Sequence, residues 1–450
     1  MSSYSPQDWT LFTEILRTIS KDISIIDDNQ EIKTLVAKIS KKAKKRTKYH
    51  NRIASKEHDK KVLENVGIRS ENDDVRILHN STGAYTEVVR ARDCYVCSKQ
   101  YYKVHSFYHR LCPDCAELNY AKRQLRNDFA NHTVLVTGGR VKIGYHTALR
   151  FLRDGANVIV TTRFPHNALL RYSQESDYAA WKDRLEIYGV DFKKILSLEN
   201  FLYYLQTTKK SLDIIINNAA QTVRLPQVHY DELAEAEAVL KEKLNTPLLQ
   251  NANDQNVLQI GVNDESESLP IVDKSLYALQ PTSSDLTTNE AENSWMKTLS
   301  EIDTIELLEV NLINNVAPFL INSKLKPLLI NSPNPKRFII NVTSVEGQFS
   351  YPNRRPHHPH TNMTKAALNM MTATSSPDFA KDNIFMNSVD VGWISSNNPG
   401  EKDARMQTDG FAHPLDCEDA ASRICAPIIE GIKGKPTFGK LYKDYFVVAW

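Results

Sequence analysis

Six apolar runs, read in order from residue 132 onward, leave this chain few folds to choose from. They are TVLVTG, NVIVTT, LEIYGVDF, LDIIINNA, RFIINVTS and IFMNSVDVGWI, with FGKLYKDYFVVAW closing the sequence. Each is continuously apolar rather than alternating, as expected of strands buried on both faces. Helical segments separate them. Such strands form a parallel sheet, because helices on each side must cover two apolar surfaces. The expectation is an α/β fold over residues 130–450, a doubly wound parallel sheet of six strands with a last strand near the C-terminus. Within it, the stretch from about 221 to 300 breaks the pattern. YDELAEAEAVLKEKL reads as a helix, but the segment after it is rich in Asn, Asp, Ser and Glu. That composition suits a lid, a partner-binding element or a disordered segment.

Residues 1–90 carry a helical period instead. Trp9, Phe12, Ile15, Leu16 and Ile19 recur at helix spacing, followed by Ile32, Leu35, Val36 and Ile39. Between Lys38 and Lys61 there are 11 Lys or Arg against two acids, Glu57 and Asp59. Such a run can meet phosphate or an acidic partner, but on a helical hairpin it is first of all a solvated face. A net charge of +2 over 450 residues gives no general reason to expect nucleic acid or a membrane surface. No apolar run approaches the ~18 residues required to cross a bilayer. The start, MSSYSPQDWTLFTEIL, lacks the charged-then-apolar order of a signal peptide. A cytoplasmic protein is the expectation.

Four of the six cysteines fall within 22 residues, CYVCSKQYYKVHSFYHRLCPDC. In a reducing compartment, paired CxxC turns read as metal ligands rather than disulfides. Cys94 and Cys97 form one pair, Cys112 and Cys115 the other. Together they offer the four thiolates of a structural Zn²⁺ site, with no open position for catalysis. His105 and His109, between the pairs, are alternative ligands. The module, residues 91–125, is expected to be a small zinc-ribbon-like knuckle joining the N-terminal helices to the large domain. Its basic and aromatic residues (Lys99, Lys103, Tyr101, Phe107 and Tyr108 among them) resemble a nucleic-acid surface in composition. In so small a module the rings are needed as core, so nucleic acid is not the expected partner. Cys417 and Cys425 read as ordinary helix residues.

TVLVTGGRVKIGYHTALRFLRDGANVIVTTRF is a strand, a glycine turn, a helix and a second strand. Such a turn directs backbone N–H groups at a pyrophosphate on the positive end of the helix. VDF then follows the third strand, NNAA the fourth and NVTSVEG the fifth. In type and order these motifs resemble the short-chain dehydrogenase/reductase family over nearly all of residues 132–450. The resemblance implies a Rossmann fold, a nicotinamide dinucleotide and a small carbonyl or alcohol substrate. The family's TGxxxGxG motif corresponds to Thr137, Gly138, Arg140, Lys142, Ile143 and Gly144 with their neighbours, and Lys142 replaces its second glycine. That lysine implies either a displaced loop or an ammonium on phosphate; contact is the preferred reading. Arg163 stands where an acid would grip the ribose of NAD. An arginine there suits the 2′-phosphate of NADP, with Arg140 assisting, so NADP is expected over NAD. By resemblance Asp191 meets the adenine, and Asn217 and Ala219 the ribose.

The same resemblance assigns Ser344 to polarise the carbonyl, Lys365 to hold the ribose and Asn311 to order a water relay. The family's acid–base tyrosine, four residues before the lysine, is Thr361 here. An alkyl hydroxyl is a far weaker acid than a phenol, whose pKa is about 10, so Thr361 cannot move the proton in the same way. Between Ser344 and Lys365 lie Tyr351, His357, His358 and His360, and His360 is the first candidate for the missing donor because histidine titrates near neutrality. Thr361 itself reads equally as a helix N-cap. The usual Pro-Gly after the sixth strand is Val391-Gly392, a second departure. Two functions therefore stay open. One is an NADP(H)-dependent oxidoreductase with non-standard proton delivery. The other is an inactive NADP-binding scaffold that meets a protein partner through its N-terminal region or insertion. A homodimer is compatible with either.

Overall fold

The computed structural model describes residues 4–69, 84–224, 226–244, 258–260, 293–352, 354–395 and 411–450. Apart from one short strand, the acidic part of the insertion lies outside these residues, as does the end of GWISSNNP. The chain divides into two compact units, Met1–Asp93 with Lys99–Cys112 and Cys94–Ser98 with Pro113–Trp450. The cysteine module expected as a separate part at 91–125 is thus shared out. A piece of that length has too little core to stand alone.

In the smaller unit, helices α1 (Pro6–Lys21) and α2 (Gln30–Glu64) precede an antiparallel hairpin, β1 (Tyr85–Asp93) and β2 (Gln100–His105). Helix α1 opens with a capping box between Ser5 and Asp8. The basic stretch on α2 is almost entirely exposed. Near its end the buried Asp59 accepts the N–H groups of Val89 at 2.7 Å and Arg90 at 3.3 Å, and the Arg90 Nε at 3.0 Å. Burial alone would raise its carboxyl, but these donors outweigh burial and hold it below the usual carboxylate range.

The larger unit begins its regular structure with α3 (Pro113–Gln124). It continues with β3 (Thr133–Thr137), α4 (Lys142–Arg153), β4 (Asn157–Thr162), α5 (Pro165–Ser173), β5 (Leu185–Gly189), α6 (Ile195–Thr208) and β6 (Ile214–Asn217). Helix α7 (Gln227–Leu244) and strand β7 (Leu258–Ile260) come from the insertion. A run of α8 (Thr304–Asn311), a π-helical segment (Leu312–Val316) and α9 (Ala317–Ile330) leads to β8 (Arg337–Thr343). After it come α10 (Pro359–Lys381), β9 (Ile384–Asp390), α11 (Cys417–Lys433), β10 (Leu441–Lys443) and β11 (Phe446–Val448). Cys417 and Cys425 lie on α11, as expected of ordinary helix residues.

The sheet has the order β11-β10-β9-β8-β6-β3-β4-β5-β7. All neighbours are parallel except the two edge pairs, β5 with β7 and β10 with β11. Alternate residues of each strand feed two separate cores. Val134, Val136, Ile214 and Ile340 pack on one side with Phe151 and Ile428. Leu135, Ile215 and Ile339 pack on the other with Phe201, Ile321 and Leu325. The expected doubly wound α/β fold is therefore present, with an antiparallel strand from the insertion added at one edge. Thr304–Ile330 is long and apolar enough to cross a membrane by length and composition, contrary to the expectation from sequence. Its Ile321, Leu325 and Leu329 instead cover the sheet.

The middle of the sheet is crossed by a row of polar side chains. Asn217, Asn341 and Ser388 are register partners on β6, β8 and β9. Asn217 donates to Asn322 and to Asn341, each at 2.8 Å, and Asn341 donates to Thr372 Oγ1 at 2.8 Å. Ser388 also donates to Thr372 Oγ1, at 2.9 Å. Thr372 is fully buried, so Thr372→Val leaves two interior donors without an acceptor. The expected cost is on the order of 2–4 kcal/mol, read by denaturant unfolding, while Leu368→Met on the same helix costs far less.

Candidate active site

The sheet order reverses around β3, flanked by β6 and β4. Helices leave to opposite faces there, opening a crevice at the carboxyl ends of the strands. A cleft of about 1590 Å³ occupies this place. Thr137 closes the strand junction beneath it. Its hydroxyl accepts the N–H groups of Asn218 and Ala219, both at 3.0 Å. Asn218 returns its amide to the carbonyls of Thr137 and Gly138 at 3.0 and 3.3 Å.

Close approach explains the glycine turn. Gly138 has φ +69, and a Cβ there would lie 2.9 Å from Ala219 Cα; at Gly144 it would lie 2.3 Å from Gly138 O. Between them Lys142 adopts φ +52, the left-handed conformation that the family's glycine takes at no steric cost. The chain path of a glycine turn is kept without the glycine. Gly138, Lys142, Ile143 and Gly144 all line the cleft.

At one end of the cleft Arg163 follows β4, with its guanidinium 5.5 Å from the Phe164 ring and 5.1 Å from the Tyr230 ring. Arg140 is buried and donates to Asn167 Oδ1 at 2.9 Å. Burial, and then the charges of Arg171 and Arg163, push its guanidinium down to about 10. Three guanidinium groups crowded this way make a site that favours an anion. Asp191 lines the same region and its carboxylate accepts the Lys193 N–H at 3.1 Å. From the inserted α7, Glu237 accepts the N–H groups of His166 and Asn167 at 2.6 and 2.9 Å, at the N-terminus of α5.

At the other end Ser344, Thr361 and Lys365 line the cleft together. Lys365 Nζ donates to Val342 O at 2.9 Å. Burial lowers its ammonium to about 8, against the pull of Glu346 and Asp390. Thr361 is buried and donates to Thr222 O at 3.3 Å. His358 stacks on Trp295 at 3.7 Å with an interplanar angle of 1°, and burial lowers its imidazole below the ordinary value. Tyr351 and His357 also face this end.

The thiol sulfurs of Cys94, Cys97, Cys112 and Cys115 all lie within 4.8 Å of one another. A tetrahedral shell with Zn–S near 2.3 Å places sulfurs about 3.8 Å apart, so the donor set could hold a metal ion. His105 is not part of this group. Its Nδ1 accepts the N–H groups of Phe107 and Tyr108 at 3.0 and 3.4 Å, and His109 is likewise outside the cluster. Tyr101, Phe107 and Tyr108 are buried, as a small core requires.

The profile of the short chain dehydrogenase family matches residues 132–250. Uncharacterized protein R665 of Acanthamoeba polyphaga mimivirus is 31% identical over 376 residues, covering 79% of this chain and 74% of the viral protein. This chain belongs to the R665 family. Its large unit has a Rossmann-like, mostly parallel sheet, and residues 132–250 within it match the short-chain dehydrogenase profile. Among solved structures, NADPH-bound carbonyl reductase from chicken fatty liver matches at 17% identity and TM-score 0.46, over 72% of this chain and 100% of the reductase. A short-chain dehydrogenase/reductase from Caenorhabditis elegans with cofactor matches at 18% identity and TM-score 0.44, over 69% and 93% of the two chains.

Within this fold several residues chosen from sequence stand elsewhere than expected. Thr137 is buried beneath the cleft and acts through the strand junction. Asn217 points into the buried amide row, while its neighbour Asn218 faces the cleft. Asn311 spends its amide on Leu307 O in its own helix, at 2.8 Å. Asn314, in the π-helical segment, is buried behind the cleft and is tied to it through Gln221, which lines it. It exchanges hydrogen bonds with the Gln221 backbone at 2.7 and 2.8 Å and donates to Thr364 Oγ1 at 3.2 Å. The sequence signal for it is the doubled Asn314-Asn315 just before Val316-Ala317-Pro318-Phe319. His360 does not line the cleft either. It is buried, with Nε2 3.6 Å from Glu306 Oε1.

The left-handed Lys142 makes a direct test. Lys142→Gly is expected to melt no lower than the parent protein. Relief of left-handed strain, about 1–2 kcal/mol, outweighs the added chain entropy of glycine, about 0.5–1 kcal/mol. Lys142→Ala retains the strain and is expected to melt below the glycine variant.

Proposed function

We infer that this protein is an NADP(H)-dependent oxidoreductase that interconverts a carbonyl compound and an alcohol. The carrying observation is the convergence of Ser344, Thr361 and Lys365 on the cleft that also holds the glycine turn and Arg163. The residues present fit a phosphorylated dinucleotide. The turn leaves room for pyrophosphate, Lys142 adds charge to it, and Arg163 and Arg140 suit a 2′-phosphate. Bound there, the dinucleotide would supply or accept hydride.

The protein's own part is orientation and the proton. Ser344 donates a hydrogen bond to the substrate oxygen, and Asn314 fixes the Gln221 backbone and the α10 helix around the site. Lys365 is the proton donor in place of the absent tyrosine, since an ammonium titrating at about 8 is matched to neutral pH. In reduction, Lys365 Nζ gives a proton to the developing alkoxide; in oxidation, the neutral amine takes it back. The four cysteines bind Zn²⁺ as a structural ion.

Reduction in this scheme requires protonated Lys365, so kcat/KM for NADPH-dependent reduction should fall as pH rises through about 8. Alcohol oxidation should rise over the same interval. A break below pH 6.5 instead would move the role to His358, whose imidazole is lowered by burial. Arg163→Ala should weaken NADPH binding by about 10- to 100-fold and NADH binding far less, as expected for loss of charge-assisted bonds to one phosphate. A single observation favours the scaffold reading: the Thr361 hydroxyl is engaged with Thr222 O. NADPH binding without turnover across a carbonyl panel, unchanged in Lys365→Ala, would establish that reading.

A further inference from the structure

The two CxxC turns reach the cleft through different chains of contact that end on the same loop. The first turn, Cys94–Ser98, belongs to the large unit, and Tyr95, Val96 and Ser98 line the cleft. Tyr95 Oη accepts the N–H of Trp393 at 2.8 Å. From the second turn, Cys115 O accepts the Asn119 amide at 2.7 Å, and Asn119 Oδ1 accepts Arg423 Nη2 at 3.0 Å. Arg423, only 2% exposed, donates through Nη1 to Val391 O at 2.9 Å and is anchored by Asp444 at 2.6 Å. Between the two gripped residues lies Gly392 at φ +85. A Cβ there would fall 2.1 Å from Arg423 Nη1 and 3.3 Å from Tyr95 Oη, so glycine is required for both contacts to close on the loop.

The loop's place gives this grip its meaning. Asp390 is the register partner of Thr343, the residue before Ser344, and Val391 and Trp393 line the cleft. The loop is thus at the Ser344 and Lys365 end. We propose that the four-cysteine cluster sets the Val391–Trp393 loop, with Tyr95 as the positioning residue, so that metal loading governs binding of the nicotinamide half of the dinucleotide. The proposal rests on the cofactor reading above. It also accounts for the missing proline. Val391-Gly392 lacks the ring that stiffens the family's turn, and the restraint comes instead from Tyr95 and Arg423.

The test uses the full chain, zinc-loaded or treated with a chelator, and Tyr95→Phe, which keeps all four thiols. Hydrogen exchange at the Trp393 amide and the Kd values for NADPH and for 2′,5′-ADP are measured, with bound zinc counted. Tyr95→Phe should keep its zinc, exchange the Trp393 amide about tenfold faster and bind NADPH about tenfold more weakly, the scale of one lost buried hydrogen bond. Binding of 2′,5′-ADP, which has no nicotinamide, should change less than about twofold in the same variant. Chelation of the parent protein should reproduce these changes and add little to Tyr95→Phe. Unaltered exchange and NADPH affinity in Tyr95→Phe would overturn the proposal, as would equal losses for both ligands. If the zinc-loaded parent binds neither ligand, the cofactor reading fails, and the exchange rate alone then judges the link between cluster and loop.

Discussion

Everything in the large unit depends on a sheet whose central strands are covered on both faces. Val136 and Ile216 serve one core and Leu135 and Ile215 the other, so neither face has room for a water-filled site. Polar chemistry is driven to the strand ends, and to the place beside β3 where the strand order reverses. Thr137 shows how tightly that end is made. A single hydroxyl receives two backbone N–H groups from the neighbouring loop, which lets two strands part without leaving unpaired donors.

The two ends of the cleft use burial in opposite ways. At the arginine end burial concentrates like charges, and Arg140 is held beside Arg163 and Arg171 while its own hydrogen bond goes to a neutral amide, Asn167. The Glu237 carboxylate offsets part of this repulsion, and the remainder favours a further anion. At the other end burial acts on one ammonium. Lys365 is held near neutrality because its surroundings solvate charge poorly, with Glu346 and Asp390 limiting how far it falls. The same solvent exclusion crowds like charges in one place and lowers a single ammonium in the other.

Much of this was legible in the residues. Continuous apolar runs can only be a doubly covered sheet, and a CxxC pair has few uses other than a metal. Spacing from Lys365 placed Thr361 correctly on its helix, one turn ahead. What the sequence concealed were choices between neighbours. Asn217 or Asn218, and Asn311 or Asn314, differ in their contacts only through which side of an element they occupy. A π-helical segment alters that side without leaving a mark in composition. His360 is turned away from the cleft and buried beside Glu306, a contact distant in sequence that spacing does not reveal. Strand β7 and the sharing of the cysteine turns between units depend on contacts distant in sequence, which periodicity cannot report.

The row of amides and hydroxyls through Asn217, Asn341 and Ser388 has a consequence for assembly of the sheet. Apolar strands such as IIIN and RFIINVT are nearly uniform, and side-chain hydrophobicity alone would tolerate several alignments between them. A slip of one residue turns Asn341 to the opposite face and strands its amide in hydrocarbon. The row therefore works as an index mark. It admits one alignment of β6, β8 and β9, and with it one placement of Ser344 beyond the end of β8.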